Sequence, residues 1–347
     1  DLFKNLSWLN ELTFKSSIGT SGNSSIGDYD ALATVGTNLY AGATGWGVSA
    51  AGNPQLSWEE QRQINFGVQA SFFNRLNIDV EYFDRKTSNM LISVPYPYTS
   101  GFSSITSNVG SLKNSGINAN VNYDFIKKKN SFLNAYVNLG YVQQKVTELF
   151  QGKKYWIIPN TGVSWAIGQP VSYFYPVFAQ INPATGSPEW YKPNINPDLI
   201  IKSNQNPYDV TTTFNSTALQ QSTGIKRYAP LNGGFGFSGG IKQFSLTADF
   251  SFSKGKFMIN NDRYFFENPN QFAGYNQSTT VLDYWKQPGD IARFPKYGIQ
   301  FTQFDSRLIE DASFVRLKAL TLGYNVAKKV LDKTKFITAA KVYVTGR

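Results

Sequence analysis

The stretch Gln63-Ile64-Asn65-Phe66-Gly67-Val68-Gln69-Ala70-Ser71-Phe72 sets Ile64, Phe66, Val68, Ala70 and Phe72 on one side and Gln63, Asn65, Gln69 and Ser71 on the other. A period of two is that of a β-strand, whose successive side chains point to opposite faces. The pattern resumes in Leu76, Ile78, Val80 and Tyr82 against Asn77, Asp79 and Glu81, and in Ile117, Ala119, Val121, Tyr123 and Phe125 against Asn118, Asn120, Asn122 and Asp124. It holds again for Leu133, Ala135, Val137, Leu139 and Tyr141, and for Phe244, Leu246, Ala248, Phe250 and Phe252 alternating with Ser245, Thr247, Asp249 and Ser251. Weaker versions at 11–19, 231–239, 312–326 and 338–346 bring the expected count to about nine strands. Near Ala319 the phase changes, because Val315 and Leu317 precede Leu320, Leu322 and Tyr324, and one extra residue there predicts a β-bulge.

Alternation also suits a soluble β-sandwich, so the connections have to discriminate. They run long at 20–62, short at 74–75, long at 94–110, short at 127–130, long at 148–230, short at 240–243, long at 256–310 and intermediate at 327–337. An outer-membrane barrel alternates in this way because every second connection is a tight periplasmic turn, while the others face outward. The expected fold class is therefore all-β: part of a transmembrane antiparallel β-barrel with long extracellular loops. Arg75, Lys127, Lys128, Lys129, Lys242 and the Lys328–Lys335 group then face the periplasm, and Trp58, Trp156, Trp165, Trp190 and Trp285 face outward. Tyr82, Tyr123, Phe125 and Tyr324 sit near strand ends, where an interfacial aromatic girdle belongs.

Composition agrees. Aromatic residues and charged residues each make up 16% of the 347 residues, the latter well below the usual quarter of soluble domains. No run of about 20 apolar residues marks a transmembrane helix, and the first residues lack a signal-peptide pattern, so Asp1 reads as an interior start. The formal charge of +10 raises the local concentration of anions of any kind. Its densest run, Lys127–Lys129, lies in a tight turn, where solvated charge is a simpler reading than a nucleic-acid site.

The chain holds no cysteine and no histidine, which removes disulfides, thiol nucleophiles, imidazole bases and Cys/His metal sites. A Ser-His-Asp triad is impossible within these residues, which also weighs against a barrel lipase or protease. Glu59–Glu60, Asp28 with Asp30, and Glu310–Asp311 are the close carboxylate pairs, each more simply a loop or strand-end charge. Asp28-Tyr29-Asp30 lacks the remaining ligands of a calcium loop, so neither metal nor cofactor is expected. The glycine-rich 233–240 opens no helix and carries no phosphate-binding lysine; it reads as a strand whose glycines allow close packing. What remains is a binding surface. Tyr96, Tyr98, Trp165, Tyr173, Tyr175, Trp190, Tyr191, Tyr284 and Trp285 lie in the outward loops among many Asn and Gln, a combination that suits sugars or peptides. The plainer alternative is that long loops use such aromatics for their own small cores.

The segment Glu310-Asp-Ala-Ser-Phe314-Val-Arg316-Leu317-Lys-Ala-Leu320-Thr-Leu322-Gly323-Tyr324 closely resembles a late-barrel signature of SusC/RagA-type TonB-dependent outer-membrane transporters. Residues 12–23, 167–175 and Asn260-Asn-Asp-Arg-Tyr-Phe-Phe-Glu-Asn268 are similar to the same family and follow its order along nearly the whole chain. The resemblance implies an integral outer-membrane protein that imports oligosaccharides or peptides. It further implies a plugged barrel lidded by a SusD-like surface lipoprotein and driven by TonB–ExbB–ExbD. Barrels of that kind have about 22 strands. Residues 1–347 are thus expected to form one part of the barrel, with the plug and the remaining strands supplied from outside the chain. A surface-exposed or soluble lectin-like β-sheet protein is the alternative, and it predicts comparable loops at both sheet ends.

Overall fold

The computed structural model describes residues 6–96, 98–102, 104–158, 162–194, 202–334 and 336–347. Among them the dominant element is one nine-stranded antiparallel sheet in which each strand pairs with the next along the chain. The strands are β1 (Leu9–Asn23), β2 (Glu59–Phe72), β3 (Leu76–Ser88), β4 (Ser111–Lys128), β5 (Ser131–Glu148), β6 (Leu231–Ile241), β7 (Phe244–Lys254), β8 (Phe314–Asn325) and β9 (Lys341–Gly346). All the weaker alternating stretches are strands, and long and short connections alternate as the sequence predicts. The sheet ends at β1 and β9 without closing on itself, so it is a section of barrel wall.

Register makes the two faces of this wall chemically distinct. Phe14, Val68, Val80, Ala119, Leu139, Gly233, Phe252 and Val315 form one continuous row across β1 to β8. Beside it, toward the short turns, runs a second row: Leu12, Ala70, Ile78, Val121, Val137, Phe235, Phe250 and Leu317. On the opposite face Gln69, Asp79, Asn120, Asn138, Gly234, Ser251 and Arg316 line up across β2 to β8. Among the described residues no protein layer covers the apolar face: Phe14 is 75% exposed, Phe66 58% and Leu322 57%. A β-sandwich buries that face against a second sheet. Here the buried core lies in the loops above the wall instead.

Local geometry follows the residues. Between Phe72 and Arg75 the backbone N–H of Arg75 donates to the Phe72 carbonyl at 2.9 Å, with Phe73 and Asn74 at φ 53° and 54°. Two central residues at positive φ make a type I′ turn, whose twist matches a hairpin. The bulge in β8 is Lys318, since Asp249 pairs with Ala319 while Phe250 pairs with Leu317. That extra residue keeps Leu317 and Leu320 on the same apolar face. Glycines of β6 make room for rings from its neighbours: a Cβ on Gly236 would stand 2.8 Å from the Tyr136 ring, and one on Gly240 would collide with Phe132.

The outward connections are more ordered than the sequence suggests. Residues 24–58 carry a hairpin, Thr34–Tyr40 with Ala43–Ala50, and 89–110 carry another, Leu91–Pro95 with Ser104–Asn108. The 149–230 connection builds a four-stranded sheet (Tyr155–Ile158, Val163–Ala166, Ser172–Pro176, Gln220–Lys226) and a three-stranded one (Phe178–Ile181, Pro188–Tyr191, Val210–Thr211). In 255–313, Phe257–Ile259 pairs with Ile309–Asp311 beside a short helix, Asp262–Phe266. Val94, Val109, Val146, Leu149, Trp156, Val163 and Val171 form one buried cluster at the root of these loops.

Candidate functional site

Two surfaces present polar chemistry. The first is the inner face of the wall, where side chains bond to one another across strands. Lys15 Nζ donates to Gln69 Oε1 at 2.6 Å and lies 3.8 Å from Asp79. Asn134 Nδ2 donates to both Asn122 Oδ1 and Asp124 Oδ1 at 2.8 Å, and the Tyr136 hydroxyl donates to Asp249 at 2.7 Å. Gln69, Asp79, Asn120, Tyr136 and Asn138 border a shallow recess of about 280 Å³. Amides and hydroxyls both donate and accept, so such a face hydrates well and can hydrogen-bond a passing polar chain without holding it by charge.

The second surface lies among the outward loops. A cavity of about 560 Å³ opens between residues 52–55, 89–110 and 148–152, and Asn53, Gln55, Asn89, Tyr96, Asn108 and Phe150 line it. Tyr96 is therefore an exposed aromatic at an amide-lined opening. The Tyr98 side chain lies outside the described residues, as does Lys335.

The other sequence-predicted aromatics are mostly loop structure. Trp190 is 1% exposed; its indole N–H donates to Asp305 Oδ2 at 2.9 Å, and its ring meets Phe214 at 5.0 Å. Tyr173, 2% exposed, donates to the Phe257 carbonyl and accepts from Arg227. These two are corrected from cargo contacts to core residues, because groups so buried cannot touch a ligand while the loops keep this packing. Trp165 packs edge-on against Trp156 at 6.3 Å. Trp285 donates to the Pro183 carbonyl at 2.9 Å and covers Gly186. Tyr284 packs beside Phe301 at 6.2 Å. Tyr175 is half-buried over Gly162; burial raises the pKa of its hydroxyl, reinforced by Tyr173 and offset by Arg227. Tyr191 is partly exposed at the end of its strand.

An ion-pair network that no local sequence pattern marks joins the ends of 255–313. Arg263 Nε donates to Glu267 at 2.8 Å, while its Nη1 donates to Glu310 at 2.8 Å and to the Arg307 carbonyl at 2.6 Å. Arg293 also reaches Glu267, at 3.2 Å, and Arg307 pairs with Asp305 at 2.7 Å. Asn268, almost fully buried, accepts from the Thr302 backbone and donates to the carbonyls of Tyr264 and Thr302. The signature residues are structural as well. Phe314 lies under the Arg316 guanidinium at 4.1 Å; Leu317, Leu320 and Leu322 stand on the apolar face; Gly323 passes close to Ser245 and Lys341; and Tyr324 packs on Phe244 at 5.1 Å. The close carboxylates likewise have structural partners: Asp30 accepts from Gly27 N–H at 3.0 Å, Glu59 from Leu91 N–H at 3.4 Å, and Asp311 from Ser313 N–H at 2.8 Å.

Residues 5–215 match the model of the family described as TonB dependent receptor-like, beta-barrel. This chain belongs to that family. The RagAB peptide transporter is a similar solved structure: 38% identical, with a TM-score of 0.87 over 99% of this chain and 38% of that one. The RagAB peptide importer in its "open-open" state gives the same identity and TM-score over 100% of this chain. TonB-dependent receptor P39 of Formosa agariphila is 24% identical over 97% of this chain and 36% of its own length. TonB-dependent receptor SusC of Bacteroides thetaiotaomicron is 27% identical over 54% of this chain and 21% of its own length. The chain thus spans about a third of the length of P39. Membership of this family makes it an integral outer-membrane chain, and in such a barrel the uncovered apolar face is the one that meets lipid. The short turns then face the periplasm and the ordered loops the exterior.

Proposed function

We propose that residues 1–347 are one part of the β-barrel of a TonB-dependent nutrient importer, contributing wall, exterior loops and part of the surface along which cargo passes. The likeness to the RagAB peptide transporter, at 38% identity over 99% of the chain, carries this reading. The amide-rich inner face and the Tyr96 opening support it chemically, since both offer donors and acceptors suited to peptide or sugar groups. Peptides are the favoured cargo class and oligosaccharides the second. Tyr96 and Tyr98 are the proposed cargo or lid contacts, while the partly exposed Trp165, Tyr175, Tyr284 and Trp285 support the loops in which they themselves stand. The plug and remaining wall come from the rest of the protein, a SusD-like lipoprotein acts as lid, and TonB–ExbB–ExbD supplies energy. Catalysis plays no part in this function.

Uptake of labelled peptides and labelled oligosaccharides, in cells with the gene deleted and then restored, tests the proposal. Peptide accumulation should vanish on deletion, return on restoration and collapse with a proton uncoupler. Loss of oligosaccharide uptake alone would reassign the cargo. Unchanged uptake of both would overturn the import reading for these classes.

A further inference from the structure

The outer face of the wall is not uniformly smooth. At the periplasmic ends of β5 to β9 lies an apolar groove of about 850 Å³, lined among others by Leu133, Phe237, Gly239, Phe244, Leu322 and Val344. Gly239 pairs with Leu133 on one side and Leu246 on the other, so a residue without a side chain lies between two that have large ones. The missing side chain makes the depression, and Leu133 leans over it, 3.3 Å from where a Cβ would stand. Among the described residues nothing fills the groove: Ile241 and Phe244, on interior strands at its border, are 68% and 67% exposed.

Basic residues adjoin the periplasmic end of the groove. The lowest outward-facing row reads Lys128, Ser131, Ile241, Phe244, Tyr324 and Val342 across β4 to β9. Lys128 therefore stands on the lipid-facing side at the level where the groove opens. Lys129 and Lys242 occupy the two adjoining turns, and both are exposed. Lys242 holds φ 55°, a conformation that glycine or asparagine adopts more readily. Lys127, by contrast, is engaged with Asp124 at 3.5 Å.

We infer that this groove binds one glycerophospholipid of the periplasmic leaflet, its acyl chain along Gly239 and its anionic headgroup at Lys128, Lys129 and Lys242. An acyl chain fits because the walls are apolar, and an anionic headgroup fits because Lys128, Lys129 and Lys242 stand at the strand end and turns that adjoin the groove's periplasmic end. Each lysine near a membrane surface favours an anionic lipid by about 1 kcal/mol, or roughly fivefold. The inference depends on the outer-membrane placement of the wall and is independent of which cargo passes through it.

The test is native mass spectrometry of the full-length protein with its partner, released from bilayers of equal phosphatidylglycerol and phosphatidylethanolamine. Wild-type protein should retain phosphatidylglycerol preferentially. Lys128→Glu with Lys242→Glu should abolish that preference while a lipid is still retained, and Gly239→Leu should remove the retained lipid of either kind. Heat-modifiable migration of each variant reports that the barrel is intact, and Gly239→Ala, a smaller filling, should show partial loss if Gly239→Leu fails to fold. Equal retention of both lipids by wild type, or a preference unmoved by the charge reversals, would overturn the inference. So would loss of a protein–protein contact, rather than of lipid, on filling the groove, because a second chain would then be the occupant.

Discussion

Arg263→Ala should loosen the 255–313 loop while leaving the wall intact. In the native loop the guanidinium satisfies three acceptors at once: Glu267 at 2.8 Å, Glu310 at 2.8 Å and the Arg307 carbonyl at 2.6 Å. The side chains of Arg263 and Glu267 are 17% and 5% exposed, so solvent replaces little of what is lost. Removing one partner of a buried pair costs about 3–5 kcal/mol. Two features place this case at the lower end. Arg293 and Thr280 still bond Glu267, and the Glu310 side chain is 42% exposed, so its bridge is screened. A loss of about 3 kcal/mol raises the local opening constant on the order of 100-fold. Hydrogen exchange read by mass spectrometry on the full-length protein measures this, peptide by peptide. Peptides covering 255–313 should exchange faster by about that factor, and those covering β2 to β5 should not change. Arg263→Lys should recover only part of the protection, because an ammonium cannot present the forked donors that bridge these acceptors. Exchange in 255–313 within a factor of a few of wild type would refute the claim that this network holds the loop.

Three further outcomes follow from the same geometry. Val80→Arg, on the lipid face, should destabilise the protein in bilayers by about 2–4 kcal/mol, whereas Asp79→Arg, one residue away on the inner face, should cost far less; urea unfolding in lipid vesicles compares them. Trp190→Phe keeps the ring packing but leaves Asp305 without the indole N–H, which should cost about 1–3 kcal/mol of loop stability and appear as faster exchange in 178–191 and 301–308. Gly236→Val should force the Tyr136 ring and the Ala248 carbonyl apart, since a Cβ there meets them at 2.8 and 2.7 Å; overpacking of this kind costs about 1–3 kcal/mol, read as a lower temperature of heat-modified migration.

The wall was legible because a strand between lipid and water writes both solvents into alternate residues. Even the Lys318 bulge showed, since an extra residue must break phase if Leu317 and Leu320 are to share a face. The hairpins at 34–50 and 91–108 did not show: glycine, alanine and threonine in the first leave only Val35, Leu39, Trp46 and Val48 to mark a face, and the second has strands of five residues. Loop cores were illegible for a different reason. Trp190 finds Asp305 across 115 residues and Tyr173 finds Phe257 across 84, and neither separation leaves a local pattern. Aromatic content alone therefore could not divide loop rings into cargo contacts and core. Burial divides them, leaving Tyr96 at an opening and Trp190 inside.

The central claim is that one face of the nine-stranded wall meets lipid and the other meets the water of a lumen. Spin labels on single cysteines test it most directly, in a chain that contains no cysteine of its own. Labels at Val80, Val121 and Leu317 in the full-length protein in bilayers should collide with lipid-soluble oxygen, and labels at Asp79, Asn120 and Arg316 with a water-soluble nickel chelate. Alternation of accessibility with a period of two along β3 and β4, and along β8 with its phase reset at the Lys318 bulge, is the predicted result. Equal access of the nickel chelate to both sets would contradict the account.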